Sequence, residues 1–378
     1  MAVRLFNIFC AHRSVMASKR QRSQDPEQKC QQASEQPAKR SRTKPPQISR
    51  QMQLVQFTEA WLLNGPLHIQ SLCDIVTGYA QELEGVRVKL FRGRKNACVT
   101  ALAVLPDGKL VSSYFFNGSL CVWDLKKGKR LRVLSGNITV LAMVILPNGN
   151  LALGFEDCTT CIWDSASGER LLKLEGHSNF VLALAALPDD KLASGSKDTT
   201  VRVWDTVSGV CLSTLAFEGA DHNSVVTSLA ALSGGKLASG YGDGYVRVWN
   251  LASGACVLTL AGHIQKVTAL AVIHGEKLAS CSHDGTVRLW DTDSGAHSLL
   301  IVELNTFFFA LVALPNGNLA TGSFCGKIQV WDTVNAACLH KIVLKRRNRH
   351  QNSVYALAVM PDGKLVSGHN DGHVHMWR

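Results

Sequence analysis

Seven tryptophans recur at nearly even intervals along the last three quarters of this chain. The intervals are 40, 41, 45, 41, 41 and 46 residues, and they separate Trp123, Trp163, Trp204, Trp249, Trp290, Trp331 and Trp377. A fixed period of this length indicates one small structural unit that is copied in tandem. The repeat constrains the fold more than the length of 378 residues does.

Each unit contains short apolar runs separated by Gly, Pro, Asp and Ser. The third unit shows the order best, because Gly176-His177 is followed by the runs 181–187, 191–195 and 201–205. Runs of this length, bounded by turn residues, are typical of β-strands. A single unit of four short strands cannot bury both faces of its sheet, so neighbouring units must stack. Four strands with a closing Trp-Asp fit the blade of a propeller.

Most of the tryptophans are followed by an acid, as in Val203-Trp204-Asp205. With their period and turn residues, these copies resemble the WD-repeat family over residues 86–378. The resemblance implies an all-β, seven-bladed propeller domain spanning residues 85–378. The family's blade order implies a strand after each Trp-Asp, and none follows Trp377. We therefore predict that residues 86–91 form the outer strand of the last blade, which removes an unpaired sheet edge.

The resemblance also implies a hydrogen-bonded tetrad of His, Ser or Thr, Asp and Trp within a blade. Four blades carry all four residue types at matching positions: His177, Ser194, Asp198 and Trp204; His222, Ser239, Asp243 and Trp249; His263, Ser280, Asp284 and Trp290; His350, Ser367, Asp371 and Trp377. A buried imidazole between a carboxylate and a hydroxyl satisfies polar groups that packing would otherwise isolate. Because the set recurs and ends on an indole that only donates, we interpret it as structural and not as a hydrolase triad.

Three blades depart from this pattern. Blade 1 has Lys95 and Asn117 near the His and Asp positions, blade 2 has Leu153 in place of Ser, and blade 6 has Cys325 in place of Asp. Blades 2 and 6 also lack the His. Drift between copies explains these changes, and the alternative is that these blades border a binding edge.

One face of the ring is expected to carry the turns between second and third strands and the links into the first strands. Four aromatic residues fall at these positions near the central opening: Phe116, Phe180, Phe307 and Phe324. Exposed rings there suit an apolar or aromatic anchor of a bound peptide. The alternative is that the rings fold inward and fill the mouth of the channel.

Two basic links are expected to meet when the ring closes, because they lead into the first and last blades. They contain Arg92, Arg94 and Lys95, and Lys345, Arg346, Arg347 and Arg349. A merged basic patch would attract an acidic or phosphorylated segment of a partner.

The net charge of +11 is concentrated near the N-terminus. Residues 1–51 hold 11 Lys and Arg and 3 Asp and Glu, which gives +8, and the remaining residues hold 29 and 26, which gives +3. Residues 1–50 are poor in apolar side chains, so we predict a disordered basic tail. Its cluster at residues 39–44 suits nuclear import, and an ordinary solvated tail is the alternative. We do not expect nucleic acid to be the partner.

Residues 51–84 have a different pattern. Apolar residues recur there at spacings of three and four, before and after Asn64-Gly65, and predict a hairpin of two short amphipathic helices. Residues 65–84 resemble an F-box, the adaptor segment of some ubiquitin ligases, although no acid directly follows Pro66-Leu67. The alternative is a hairpin that docks on the underside of the ring and braces the closing strand.

Several classes of protein are disfavoured by the sequence. No apolar run reaches the roughly 18 residues of a membrane helix, no secretory signal is evident, and the 12 cysteines are expected to be reduced. We therefore expect an intracellular protein of the cytoplasm, and of the nucleus if the tail is an import signal. There is no phosphate-binding loop and no complete zinc spacing, so we predict no catalytic residues, metal or cofactor.

The sequence thus favours a non-enzymatic scaffold that binds protein or peptide partners on a propeller face, within a larger complex. The alternative function is a substrate-recognition adaptor of a cullin-type ubiquitin ligase that uses the F-box-like segment. Fold alone does not choose between them.

Overall fold

The computed structural model describes residues 97–115, 118–134, 138–273, 277–303, 306–343 and 353–377, together with the backbone of 87–92. Within these residues the strands form seven antiparallel sheets of four strands each. The predicted all-β, seven-bladed propeller is therefore confirmed. The predicted tail (1–50) and helical hairpin (51–84) lie outside the described residues.

The strands follow the chain in order, four to a blade. Blades 1 to 3 contain β2 Val99–Val104, β3 Leu110–Tyr114, β4 Leu120–Asp124 and β5 Lys129–Leu134; β6 Val140–Ile145, β7 Leu151–Phe155, β8 Thr160–Trp163 and β9 Arg170–Leu174; β10 Val181–Leu187, β11 Lys191–Ser196, β12 Val201–Asp205 and β13 Cys211–Leu215. Blades 4 and 5 contain β14 Val226–Ala231, β15 Lys236–Tyr241, β16 Val246–Asn250 and β17 Cys256–Leu260; β18 Val267–Ile273, β19 Lys277–Ser282, β20 Thr286–Asp291 and β21 His297–Val302. Blades 6 and 7 contain β22 Phe308–Ala313, β23 Leu319–Ser323, β24 Lys327–Trp331 and β25 Cys338–Val343; β26 Val354–Val359, β27 Leu365–His369, β28 His373–Trp377 and β1 Arg87–Arg92.

The strand pattern of a blade follows its burial. In blade 3, β10 alternates between buried and half-buried residues, β11 is almost wholly buried, and β13 is largely exposed. The first strand is therefore innermost and the fourth outermost. Asp189 and Asp190 join β10 to β11 with φ values of 56° and 51°, a left-handed turn that Asp tolerates better than most residues.

The hydrophobic core lies between blades and not within them. Inner strands of consecutive blades pack on one another, and each core cluster joins two neighbouring sheets, as where Val203 of blade 3 shares a cluster with Trp249 of blade 4. The approach is close, because a Cβ added at Gly195 would stand 2.4 Å from Val226 Cγ1. A side chain at Gly195 would force the two blades apart.

The strand ahead of the first repeat completes the last blade. β1 pairs antiparallel with β28, from Arg87 opposite Trp377 to Arg92 opposite His373, one residue later than the predicted 86–91. β2 packs on β26, and Val99 shares a core cluster with Val374. The ring is therefore closed by strands from both ends of the described chain, and no blade lacks its outer strand.

The ring has two faces, defined by its turns. The upper face carries the turns between second and third strands and the links into the first strands. The lower face carries the turns between first and second strands and between third and fourth strands, which hydrogen-bond to one another, as Thr206 N–H does to Asp190 O at 2.8 Å. β1 begins at the lower face, because Arg87 pairs with Trp377 at the end of β28.

Candidate protein-interaction face

The upper face is assembled in the same way in every blade. The residue after the second strand donates its backbone N–H to the carbonyl before the first strand, as Phe324 does to Phe307 at 2.9 Å. Because the first strand is innermost, these pairs border the central opening. In blade 1 the donor is Phe115. The register therefore gives this position to Phe115 and not to Phe116, which lies outside the described residues.

Five rings from blades 5, 6 and 7 gather on the upper face, and we call them the aromatic cluster: His283, Phe307, Phe309, Phe324 and Tyr355. Ring centroids are 6.1 Å apart for Phe307 and Phe324, 6.0 Å for Phe309 and Phe324, and 5.2 Å for His283 and Phe309. Phe309 stacks on Tyr355 at 4.8 Å. Two of the four predicted phenylalanines thus belong to one group whose centre, Phe309, the prediction missed.

The second residue of each inner strand explains why the cluster forms here. The residues at this position are Thr100, Leu141, Leu182, Thr227, Thr268, Phe309 and Tyr355. Where it is Thr, the hydroxyl donates to a carbonyl of the next inner strand, for example from Thr268 to Phe308 O at 2.9 Å. Blades 6 and 7 replace this small bridging group by large rings. Aligned copies of the repeat contain that signal, but our prediction considered only turns and links.

The aromatic cluster is uncharged at neutral pH and partly open to solvent. Phe307 is 43% exposed, and Phe309, Phe324 and Tyr355 are half-buried. Burial lowers the pKa of His283 from 6.5 to about 4, and the ammonium group of Lys266 acts in the same direction. A neutral imidazole beside four other rings presents an apolar surface that suits an apolar or aromatic side chain.

Phe180 is not part of the cluster. Its ring lies in blade 3 with Lys197 Nζ 5.4 Å from the ring centroid, a cation–π contact within one blade. Blades 4 and 5 separate it from Phe307. The four predicted phenylalanines therefore do not form one continuous patch in the part of the chain that the structure describes.

The predicted basic patch is mostly outside the described residues. Arg92 is the last residue of β1 and pairs with His373 at the upper face, and only its backbone is described. The remaining members, Arg94, Lys95, Lys345, Arg346, Arg347 and Arg349, fall outside, so the patch stays a prediction.

Two predicted tetrads form complete hydrogen-bonded chains. In blade 3, Trp204 Nε1 donates to Ser194 Oγ at 2.8 Å, Ser194 meets His177 Nε2 at 2.7 Å, and His177 Nδ1 meets Asp198 at 2.8 Å. Blade 5 repeats the arrangement at 2.8, 2.7 and 2.9 Å with Trp290, Ser280, His263 and Asp284. Because a carboxylate only accepts, Nδ1 carries the proton, and every donor in the chain then meets an acceptor.

The carboxylates of these tetrads are held ionised. Burial alone would raise the pKa of Asp198 and Asp284, but hydrogen bonds from His177 and Thr200 in blade 3, and from the matching residues of blade 5, outweigh burial and lower both pKa values well below 3.8. Both imidazoles are buried. Their bonds all end within the blade, which is the arrangement expected of a structural network.

Blade 4 corrects one prediction, because His222 is exposed and stands outside its predicted tetrad. This repeat is 45 residues long instead of 41. Its longer link carries Phe217, whose ring lies 3.7 Å from the guanidinium carbon of Arg247, and Arg247 donates to Asp243 at 3.1 Å. The guanidinium thus takes the acceptor that the sequence assigned to the imidazole, and Arg247 is only 7% exposed.

The tryptophan–hydroxyl bond is the part of the tetrad that persists. It measures 2.7–2.8 Å in six blades and joins Trp123 to Ser112, Trp204 to Ser194, Trp249 to Ser239, Trp290 to Ser280, Trp331 to Thr321 and Trp377 to Ser367. In blade 2, Leu153 stands at the hydroxyl position and Trp163 Nε1 is buried without a partner. In blade 7, Ser367 meets His369 Nε2 at 2.7 Å, and the predicted His350 lies outside the described residues.

Two further searches were confined to the described residues. They contain no group of three or more His, Cys, Asp or Glu side chains arranged to hold a metal ion. No helix among them is long and apolar enough to cross a membrane.

Residues 85–124, 128–164, 168–205, 209–250, 254–291 and 341–378 match the WD40 family (WD domain, G-beta repeat). The matches cover more than half of the chain, which therefore belongs to this family. The first matched repeat begins with β1, so the sequence repeat is offset by one strand from the blade. The unmatched residues 292–340 include Phe307, Phe309 and Phe324 of the aromatic cluster. A search of curated proteins found no match to the chain.

Proposed function

We propose that this propeller is a non-enzymatic scaffold that binds a protein partner through the aromatic cluster. The partner would insert an apolar or aromatic side chain between the rings at the edge of the central opening. WD40 propellers generally serve as interaction scaffolds, which supports the class of function. The aromatic cluster carries the finer proposal.

The observation in its favour is a neutral, partly exposed group of rings in a fold that buries most of its large aromatic side chains. All of the tryptophans that close the repeats are buried except Trp163, which is half-buried. Phe307 stays 43% exposed although it has three ring neighbours. Partly exposed aromatic groups beside a cavity are typical anchors of protein interfaces.

The test compares partners captured by the tagged full chain, after cross-linking, with those captured by Phe307→Ala and Phe309→Ala. Each substitution should reduce capture of a direct partner at least about tenfold, which corresponds to about 1.4 kcal/mol. Val334→Ala is the matched control, because Val334 is an 80% exposed apolar residue of blade 6 on the lower face. Equal capture by all four proteins would contradict the proposal.

The same partner would carry an acidic or phosphorylated segment if the basic links meet as the sequence predicts. Ring closure supports this, because β1 and blade 7 share one sheet and blade 1 lies beside it. Arg94→Glu with Arg346→Glu and Arg347→Glu should weaken binding and flatten its dependence on salt. Unchanged binding and salt dependence would remove this part of the proposal.

A ubiquitin-ligase adaptor is the alternative function, and its adaptor segment, residues 65–84, lies outside the described residues. Deleting residues 51–84 separates the two functions in the same capture experiment. Loss of ligase subunits while other partners are kept would favour the adaptor, and loss of no ligase subunit would favour the scaffold alone.

A further inference from the structure

A second opening, on the lower face, has a chemistry of its own. It is a pocket of about 620 Å³ formed by four consecutive blades, 5, 6, 7 and 1. Its walls are the ends of the inner strands and the turns that follow them. All eleven lining residues are Val, Leu, Ile, Ala, Met or Pro, and they include Val104, Val272, Leu314, Met360 and Pro361.

This pocket is distinct from the aromatic cluster, because the inner strands run from one face to the other. β22 begins beside Phe307 on the upper face and ends at Ala313 on the pocket wall. Part of the wall is open to solvent, since Val272 is 37% exposed and Pro361 is exposed. A contiguous apolar surface of this kind in a concave site indicates an occupant.

The chain itself leads to this pocket. β1 begins at Arg87 on the lower face, as the outer strand of blade 7, and the inner strand of the same blade ends at Met360 and Pro361 on the pocket wall. Three strand spacings of about 4.8 Å separate the two, roughly 14 Å in all. About five extended residues cover that distance. Residues just ahead of β1 are therefore within reach of the pocket.

The sequence ahead of β1 matches the pocket in chemistry. Ile69, Leu72, Ile75, Val76, Tyr79 and Leu83 are spaced to share one side of a helix. Gln70, Asp74 and Gln81 fall on the opposite side of the same helical pattern. Residues 66–84 contain three acids and no Lys or Arg, whereas Lys109, Lys277 and Lys364 follow the pocket-lining turns. An apolar side with an acidic back suits this part of the lower face.

We propose that residues 66–84, which lie outside the described residues, fold as an amphipathic helix whose apolar side occupies the lower pocket. The segment closes the lower opening of the ring and holds the start of β1 against β28. Its apolar side is then covered by the propeller and is unavailable to a ligase subunit at the same time. The lower pocket is thus an intramolecular docking site, and the upper face is left for partners.

Site-specific photo-cross-linking of the full chain tests the proposal. A benzophenone amino acid at Ile75 should cross-link within the monomer to peptides that contain Val104–Pro106 (104–106), 313–315 or 359–361. The same probe at Gln70 is the matched control, because it lies in the same segment on the polar side of the pattern. Cross-linking from Ile75 to these peptides at least tenfold above Gln70 is the expected result.

Every other outcome overturns the proposal. A dimer-mass product would make a second copy of the chain the occupant, and equal or absent cross-linking would leave the pocket without this segment. Hydrogen exchange supplies a second measurement that needs no probe. Ile75→Glu should speed the exchange of Gly108 and Gly363, whose amides close the pocket-lining turns, at least tenfold, and Gln70→Glu should not. Unchanged exchange in Ile75→Glu would also contradict docking.

Discussion

Blades 5 and 6 are neighbours with the same sheet and different chemistry. Blade 5 joins Trp290, Ser280, His263 and Asp284 into one chain of hydrogen bonds, and its repeat matches the family. Blade 6 keeps only the bond from Trp331 to its hydroxyl, and residues 292–340 are unmatched. Both nevertheless form four antiparallel strands in equivalent register. The strand pattern and the buried tryptophan therefore specify the blade, and the His–Asp pair is not required for it.

The difference shows where the repeat is free to vary. A half-complete polar network is costly in a core, because the remaining donor or acceptor is buried without a partner. Blade 6 lacks both the His and the Asp, and Cys325 at the Asp position contacts the hydroxyls of Thr306 and Ser323, each at 3.2 Å. The loss of the pair thus leaves no isolated charge. The same blade supplies three of the five rings of the aromatic cluster.

The largest expected effect separates the two adjacent phenylalanines at the start of blade 6. Phe308 has no exposed surface and packs between blades, so Phe308→Ala should cost about 3–5 kcal/mol. Chemical denaturation of the full chain, with hydrogen exchange in β22 and β18, measures the loss. Its counterpart in blade 5 is Val267, and Val267→Ala is the smaller matched truncation. A loss below about 1 kcal/mol for Phe308→Ala would contradict the packing between blades.

The second prediction concerns the hydroxyl beneath each tryptophan. Ser280→Ala leaves both Trp290 and His263 without a partner, which should cost roughly 2–4 kcal/mol, since each buried orphan costs about 1–3. Thr321→Val keeps the side-chain volume and leaves only Trp331 without one, so its cost should be about half as large. Hydrogen exchange resolved by blade is the measurement. Equal losses in the two variants would mean that the His–Asp pair adds nothing to blade 5.

Much of this fold could be predicted from the sequence, and the limits of prediction have physical causes. The period of the tryptophans and the turn residues predicted seven blades, because both patterns are local and recur many times. Register was less certain where an insertion changed it, so His222 was assigned to a tetrad whose Asp243 is taken by Arg247. Nothing local to His222 indicates that Arg247 reaches Asp243 four residues away on the next strand.

The candidate site was predicted only in part, for a related reason. Phe307 and Phe324 occupy turn positions that a repeat alignment places near the opening, and they do meet. Phe309 and Tyr355 lie inside strands, where an apolar residue is usually core, and their stacking joins two different blades. Contacts between blades depend on the closure of the ring, which no single repeat encodes.

The third prediction uses pH to distinguish the aromatic cluster from the tetrads. The unfolded chain protonates His283 as the pH falls through about 6.5, whereas the folded protein resists until about 4, so the unfolded state binds more protons in between. Stability should therefore fall between pH 6.5 and 4, by on the order of 3 kcal/mol at most. His283→Gln should remove this loss in melting curves recorded against pH.

The tetrads supply the contrast within the same titration. Asp198 and Asp284 have lowered pKa values, so their stabilisation is complete above about 3.8 and declines only below it. Asp284→Asn should therefore leave the loss between pH 6.5 and 4 unchanged. A wild-type protein whose stability is constant across that interval would contradict the burial of a neutral His283.

The smallest expected effect decides between the two interpretations of the aromatic cluster that the sequence left open. Because Phe307 is 43% exposed, Phe307→Ala should change stability by less than about 1 kcal/mol, close to the change for the exposed control Val334→Ala. Its thermal midpoint, measured beside that of Phe308→Ala, checks this. A loss similar to that of Phe308→Ala would mean that the ring fills the channel mouth as core. A small loss combined with reduced partner capture requires instead that the ring act at the surface, since truncation would have removed binding without disturbing the sheet that carries it.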